Sequence, residues 1–297
     1  MRVIDAILAD GFKFPPALSQ EEAGLYYKRI SKAVTIVVDN VGEYYMSSKE
    51  GWDIEEMPNI APPFPSFFID WKHNVKHAGD IIRRSFGVLF SSYDMQDANV
   101  VSMIREAGGF DVCEALDSGQ LSGARWIMMA DIFADDGNGL MNLICRHIIP
   151  VDKDGKAKRP SAQLIDPRLP KDQYLITEEI VKVSALAISF MHCKNVEKKE
   201  ILPPAKLNKA RIKRGHRALL KYYTLEINPM RKILHSEGRS DVVGLAKAFH
   251  ICHGHFKEYK DRLLFGKHAG TFWIPSHFRG DINNGKVIKR YDIGSPK

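Results

Sequence analysis

Cysteine is scarce in this chain, with four residues among 297. Cys113, Cys145, Cys193 and Cys252 are far apart, and no two have the close spacing of a structural zinc site or of a secreted disulfide framework. Neither an HExxH sequence nor a paired CxxC occurs. The cysteines therefore favour reduced thiols in a cytoplasm, and we expect neither a bound metal nor a cofactor.

Long apolar runs are also missing. One of the longest, Trp126–Ala130, is far shorter than the about 20 apolar residues that a helix needs to cross a bilayer. No signal-peptide pattern begins the sequence. Because 44% of the residues are hydrophobic, the chain can bury one large core or two modest ones. We expect a soluble globular protein without membrane insertion.

Acidic residues are outnumbered by lysine and arginine, which gives a formal net charge of +7 and a pI of about 9.1. Much of the excess lies between Lys194 and Lys221, and Lys206–Arg217 contains no acidic residue. Such cations drive phosphate binding through counterion release, although a solvated helix would have the same pattern. We predict that four of them contact nucleic acid: Arg211, Lys213, Arg214 and Arg217.

Patterns in the first half predict an α+β fold. Ser19, followed by two glutamates and by apolar residues at three- and four-residue steps, predicts a capped helix that continues through 35–38. Prolines in Met57–Pro65 stop any helix before a strand at Phe67–Trp71. We interpret Asp70, with two histidines after it, as the start of a surface helix.

The clearest motif is a β-hairpin over Arg125–Val151. Its two apolar runs flank Asp-Gly and Asn-Gly steps, which supply the positive-φ residues of tight turns. Gly87–Tyr93 predicts a further strand and Asp97–Ala107 a short helix. This half is therefore expected to form a mainly antiparallel sheet with helices packed on one face.

A polar, proline-punctuated stretch suggests the domain organisation. We expect an N-terminal α+β lobe at 1–152, a connection at 153–175 and a C-terminal α+β lobe at 176–297, forming one domain or two closely packed lobes. In the C-terminal part Thr177 is expected to cap an apolar helix. Strands are predicted at Tyr222–Ile227, Gly270–Ile274 and 286–293, the last preceded by a turn at 283–285.

Five of the eleven histidines lie in one C-terminal stretch, His250–Asp281, together with aromatic and cationic residues. A histidine beside lysine or arginine suits the acid–base chemistry of a nuclease. Aromatic rings interleaved with cations suit recognition of a base or a peptide, whereas each ring singly also suits a core. The catalytic candidates for a nuclease are His253, His255, His277 and Arg279. The partner-binding candidates are His253, His255, Phe256, Tyr259, Trp273 and Arg279.

The same stretch resembles a known family. His253-Gly254-His255-Phe256 with Tyr259 resembles the Arg-Gly-His-aromatic block of the VA-two-like anti-CRISPR proteins. The sequence TFWIP at 271–275, followed by Arg279-Gly280, resembles the closing Trp-x-Pro segment of that family. The proline-rich lead into Phe67–Trp71 is similar to the family's N-terminal strand.

The resemblance implies a phage or mobile-element protein that acts in the host cytoplasm by binding. It implies recognition of a nascent polypeptide, such as the chain of a type V CRISPR nuclease, and loss of the message being translated. We expect the basic residues to attract ribosome-associated RNA. No catalytic residue is carried over from the family. The alternatives are a nuclease of a defence or counter-defence system and a structural component of a phage particle.

Overall fold

The structure is a computed structural model. It describes residues 2–8, 19–47, 52–77, 80–106, 110–119, 121–135, 141–158, 161–164, 173–227, 248–252, 254–274, 277–279 and 281–286. The helices in this part of the chain are α1 (Val3–Ile7), α2 (Gln20–Lys32), α3 (Asp39–Ser47), α4 (Val100–Glu106), α5 (Phe110–Asp117), α6 (Gln173–Met191) and α7 (Ala205–Lys213).

The strands fall into three sheets. The strands of the largest sheet are β1 (Val34–Val37), β2 (Ser66–His77), β3 (Asp80–Asp94), β4 (Trp126–Asp135), β5 (Met141–Val151), β6 (Ser161–Leu164), β7 (Val196–Ile201) and β8 (Tyr222–Ile227). The strands of the two smaller sheets are β9 (Ala248–Cys252), β10 (His255–Leu264), β11 (His268–Ile274), β12 (His277–Arg279) and β13 (Asp281–Lys286).

The chain divides into two compact units. The first comprises Met1–His192 and Lys198–Glu226, and the second comprises Cys193–Glu197 and Ile227–Lys297. The predicted division, with a connection at 153–175, is different because β6, α6 and residues 222–226 of β8 belong to the first unit. None of the helices in the described ranges is long and apolar enough to cross a membrane.

The large sheet has the strand order β6-β5-β4-β3-β2-β1-β8-β7. The pairs from β2 to β6 are all antiparallel, as in the Trp126↔Val151 pair of the predicted hairpin. β1 is parallel to both of its neighbours, β2 and β8. The predicted fold class, an α+β protein with a mainly antiparallel sheet, is confirmed.

Helices cover both faces of this sheet, so the prediction of one covered face is wrong. Neighbouring residues on a strand point to opposite faces. Arg146 of β5 lies on the face of α2, where it bonds Tyr26, while the adjacent His147 contacts Thr177 of α6. All five residues of Phe67–Trp71 are buried without alternation, as a strand covered on both faces requires.

Four local expectations are also corrected. Residues 34–37 form β1, because their β-branched side chains fit a strand between two parallel partners. Asp70 lies within β2, not at a helix start. Thr177 is inside α6, which begins at Gln173, and 283–285 lies within β13.

Several other predictions are confirmed. Ser19 caps α2 with a reciprocal bond to Glu22, α4 lies within the predicted helix, and Tyr222–Ile227 forms β8. The predicted strand at Gly270–Ile274 is part of β11. The predicted strand at 286–293 lies outside the described residues beyond its first position.

Candidate functional site

The C-terminal block forms part of the second unit. β10 and β11 are antiparallel, with His255 opposite Ile274 and Phe256 opposite Trp273. The side chain of His255 is exposed and those of Phe256 and Tyr259 are half-buried. These three predicted partner-binding residues therefore follow one strand, where a partner can reach at least the imidazole.

Trp273 does not fit the predicted partner surface, because it is 2% exposed. Its backbone N–H donates to Asn195 Oδ1 at 2.9 Å, and Asn195 Nδ2 donates to its carbonyl oxygen at 2.8 Å. The ring packs edge-on against Phe256, with 4.8 Å between centroids. Trp273 is a packing residue of this sheet, which corrects its assignment to binding.

The nuclease candidates are not brought into one described site. His253 lies outside the described residues, and only the backbone of His277 and Arg279 is described. That backbone belongs to β12, which pairs with β9, whereas His255 belongs to β10 in another sheet. Among the described residues, no group of three histidine, cysteine or acidic side chains could hold a metal ion.

The predicted nucleic-acid contacts lie in the first unit. We name residues 205–221 the basic segment, since it contains seven lysine and arginine residues and no acidic residue. None of the side chains of α7 is buried. Arg211 is half-buried, whereas Lys213, Arg214 and Arg217 are exposed. The structure thus presents three of the four predicted cations to solvent.

Side-chain bonds fix the shape of the basic segment. Asn208 Oδ1 accepts from Leu219 N at 2.8 Å, and Asn208 Nδ2 donates to the Leu219 carbonyl at 3.2 Å. Arg211 Nε donates to the Arg217 carbonyl at 3.0 Å. Between them the chain turns at Gly215, whose φ of +76° favours glycine. The exposed cations therefore lie on a segment whose conformation these hydrogen bonds stabilise.

A cleft of about 540 Å³ lies beside the basic segment, within the first unit. Its floor is the face of β1 and β8 that carries Thr35, Val37 and Tyr222. Residues at the beginning of α1 and apolar residues before and after α7 also line it. Four cationic residues are part of its lining: Arg2, Lys72, Arg83 and Arg211.

Two carboxylates organise the wall of the cleft at Arg2. The Arg2 guanidinium donates from Nη1 to both oxygens of Asp39 at 3.0 Å. Asp39 Oδ1 also accepts from the backbone N–H of Lys72 at 3.0 Å. Asp39 is the first residue of α3, where the helix dipole favours a negative charge. This carboxylate is therefore fully occupied by the protein.

The second carboxylate, Asp70, is fully buried. Its Oδ2 accepts from the N–H groups of Val3 and Ile4, at 2.7 and 3.4 Å. Burial raises the pKa of Asp70 to about 7, although Arg2, 3.8 Å away, and the two N–H groups favour the charged form. Asp70 thus anchors the beginning of α1 beneath the cleft.

The hydroxyl of Thr35 lies in the floor of the cleft. Thr35 is 3% exposed, and its Oγ1 has no hydrogen-bond partner among the described residues. A buried hydroxyl without a partner is uncommon, because it loses its bonds to water. The sequence did not indicate a role for Thr35, because residues 35–38 were interpreted as part of a helix and not as a strand of the sheet.

A separate charged cluster lies between α2 and the sheet. Asp131 accepts from Arg146 Nε at 2.7 Å, from Arg29 Nη2 at 2.9 Å and from the Tyr26 hydroxyl at 3.1 Å. Arg29 also donates to Ser91 at 2.7 Å. Burial opposes ionisation, yet the two guanidinium groups hold the pKa of Asp131 below its usual value. These bonds pair the charges internally, which indicates a structural role.

No protein-family model, curated protein or solved structure matches the chain.

Proposed function

We propose that the protein acts by binding RNA through the basic segment. One observation carries the proposal: seven cations without an acidic residue occupy a segment whose helix buries no side chain. A helix that only stabilised the fold would pack an apolar face against the protein. The segment instead offers charge to solvent, as phosphate recognition requires.

The scarcity of ion pairs in the described part of this segment supports the same proposal. Within the described part of the chain, Lys221 has the segment's one ion pair, to Glu200 at 2.7 Å. Lys213, Arg214 and Arg217 are exposed and are joined to no carboxylate in the described ranges. Exposed cations of this kind release counterions when they meet phosphate, and affinity then falls as salt rises.

Leu202, Leu207 and Ile212 are exposed beside the cations, at 67%, 45% and 61%. Apolar side chains between cations suit single-stranded RNA, whose unpaired bases can pack against them while the phosphates meet the charges.

The family resemblance suggests a partner for the second unit. We propose that β10 recognises a protein segment, a nascent chain such as that of a CRISPR nuclease, and that RNA binding brings the protein to the translating ribosome in the host cytoplasm. The exposed His255 and the half-buried Phe256 and Tyr259 support this proposal, since rings and imidazole at a surface are suited to gripping a peptide.

Salt dependence tests the RNA proposal. The variant Lys213→Gln/Arg214→Gln/Arg217→Gln removes three exposed cations and leaves Arg211 in place. If each contacts one phosphate of a single-stranded RNA, the slope of log K against log [salt] becomes shallower by about 2. Fluorescence anisotropy of a labelled oligonucleotide at several salt concentrations measures that slope.

A second triple variant is the matched control. Lys28→Gln/Lys32→Gln/Lys153→Gln removes the same charge from exposed positions of the same unit. We expect the control to retain the wild-type slope. Equal slopes for the two triple variants would reject the basic segment as the RNA site.

Pull-down from translating extract tests the protein partner. We expect the wild-type protein to enrich ribosomes with one nascent protein and its message, and His255→Ala/Tyr259→Ala to lose them. Lys260→Ala/Asp261→Ala on the same strand is the control. Enrichment that survives the first variant would contradict recognition by β10. RNA with shortened ends and no ribosomal protein would favour the nuclease instead.

A further inference from the structure

We propose that the cleft beside β1 binds a small organic phosphate with a flat apolar body, the chemistry of a nucleotide. This inference goes beyond RNA contact by the basic segment, because most residues that line the cleft, among them Arg2, Thr35 and Arg83, lie outside that segment. The nucleotide could come from a free pool or from the end of an RNA. The experiments below separate those two sources.

The charge of the cleft favours an anion. Arg2 is paired with Asp39, but Lys72, Arg83 and Arg211 have no described ion pair. Asp5 is the other acidic residue of the lining, and burial raises its pKa despite the opposing charge of Arg211. Lysine and arginine are the side chains that bind phosphate, and arginine can do so with two parallel bonds.

The lining argues against a divalent cation. Such an ion needs several carboxylate or carbonyl oxygens. Asp39 already accepts two bonds from Arg2 and one from the Lys72 backbone, and Asp70 faces the N–H groups of α1. Asp39 and Asp70 are thus committed to the protein, and Asp5 alone cannot supply the several oxygen ligands that such an ion needs, whereas four cationic residues line the cleft.

Thr35 supplies a specific polar contact. Its buried hydroxyl can donate one bond and accept another, and neither role is filled within the described residues. The oxygen is shielded from solvent, so a ligand at the floor of the cleft would satisfy this group after the Thr35 side chain rotates about its Cα–Cβ bond. The resulting hydrogen bond would raise the affinity for the ligand, because the hydroxyl would no longer be unpaired.

The apolar walls indicate the body of the ligand. The cleft is lined by Leu219 and Leu220 after α7 and by Leu202, Pro203 and Pro204 before it. A volume of about 540 Å³ is within the range of small-molecule sites, which is about 300–1,000 Å³. Inorganic phosphate would leave these walls in contact with water. A phosphate joined to a ring system uses both the cations and the walls.

Calorimetry on the full chain tests this proposal with nucleoside 5′-monophosphates as probes. At least one of them is expected to bind, and inorganic phosphate and the matching nucleoside to bind at least about tenfold more weakly. Arg83→Gln should weaken the best nucleotide by roughly tenfold, as loss of a charged hydrogen bond does. Lys28→Gln, an exposed position on α2, should leave binding unchanged.

Thr35→Val separates binding from folding. Valine keeps the branched shape and removes the unpaired hydroxyl, so we expect an unchanged or higher melting temperature. Affinity for the nucleotide should fall by about fivefold or more, the loss of one neutral hydrogen bond. Wild-type affinity in both Thr35→Val and Arg83→Gln would overturn the proposal.

A 5′-phosphorylated RNA oligonucleotide distinguishes the two sources. If free nucleotides fail but the oligonucleotide binds with sensitivity to Arg83→Gln and Thr35→Val, the cleft holds an RNA end. If free nucleotides bind normally to Lys213→Gln/Arg214→Gln/Arg217→Gln while its salt slope for RNA is unchanged, the cleft is a nucleotide site and RNA binding by the basic segment is rejected. If neither the free nucleotides nor the oligonucleotide binds, the proposal that the cleft is a phosphate site is rejected.

Discussion

Asp70 makes the stability of the first unit depend on pH. Burial raises its pKa from 3.8 to about 7, so the folded protein binds a proton that the unfolded chain releases. This stabilisation is complete below pH 4 and is lost as the pH rises through about 7. The loss is on the order of 4 kcal/mol.

Asp70→Asn should remove this dependence. An amide cannot ionise, and its carbonyl oxygen can still accept from Val3 and Ile4. We expect the free energy of unfolding, measured by urea denaturation between pH 4.5 and 8, to fall less with rising pH than in the wild type. The same fall in both proteins would show that Asp70 is not the titrating group.

His147 gives the stability of the first unit the opposite dependence on pH. It is 2% exposed, and burial lowers its pKa from 6.5 to about 4. The unfolded chain therefore takes up a proton first as the pH falls, and stability is lost between about pH 6.5 and 4. We expect His147→Gln to reduce this acid-induced loss, by up to roughly 3 kcal/mol at pH 4. A double variant with Asp70→Asn should show both changes added together, since the two residues lie on opposite faces of the sheet.

Helix α2 is joined to the sheet by the charged cluster. Asp131→Asn would leave Arg29 and Arg146 facing each other without an anion, which costs about 3–5 kcal/mol when such a pair is buried. Tyr26→Phe removes one hydroxyl and should cost about 1 kcal/mol. Denaturation in urea measures both. Similar losses for the two variants would show that the ion pairs contribute little beyond a hydrogen bond.

Gly87 tests the packing of α1 against β3, and Gly24 in α2 is the comparison. A Cβ atom on Gly87 would lie 2.5 Å from the ring of Phe68 and 2.7 Å from Val3 Cγ1, so Gly87→Ala should destabilise by about 1–3 kcal/mol. Gly24 in α2 has no atom within 4 Å of a Cβ. Gly24→Ala should therefore stabilise by roughly 1 kcal/mol, through helix propensity. A stable Gly87→Ala protein would mean that α1 can shift away from the sheet.

The elements that sequence patterns predicted well are those with local signals. The Ser19 cap, the 125–151 hairpin and the β8 strand depend on residues close together in the chain. β1 was missed because four β-branched or apolar residues fit a helix or a strand, and pairing with residues near 67 and 223 decided between them. The cleft was missed with it, since Thr35, Arg83 and Tyr222 meet only through that pairing. Burial of Trp273 likewise depends on Asn195, far away in sequence.

At the scale of the whole molecule, three buried cysteines report on the two units. Cys113 and Cys145 belong to the first unit, and Cys193 to the second. Burial raises the pKa of Cys193 to about 12, so its thiol should react slowly until the second unit unfolds. The second unit has about a third as many residues as the first, and a smaller unit buries a smaller fraction of its surface on folding.

Pulse labelling of thiols in rising urea concentrations tests whether the units unfold separately. We expect Cys193 to be labelled at lower urea than Cys145, because the second unit is the smaller of the two and smaller units are less stable. Cys113 is the control and should follow Cys145. Labelling of all three thiols at one urea concentration would show that the chain unfolds in a single cooperative step.

The position of β1 between β2 and β8 also sets the order in which the protein can be built. β2 follows β1 closely, whereas β8 is reached after almost the whole first unit has been made. At ribosomal speeds of about 5–20 residues per second, the gap lasts roughly 10–40 seconds. During that time the edge of β1 that later pairs with β8 has no neighbouring strand. Strand pairings so distant in sequence also form slowly. The floor of the cleft is therefore among the last parts of the first unit to be completed.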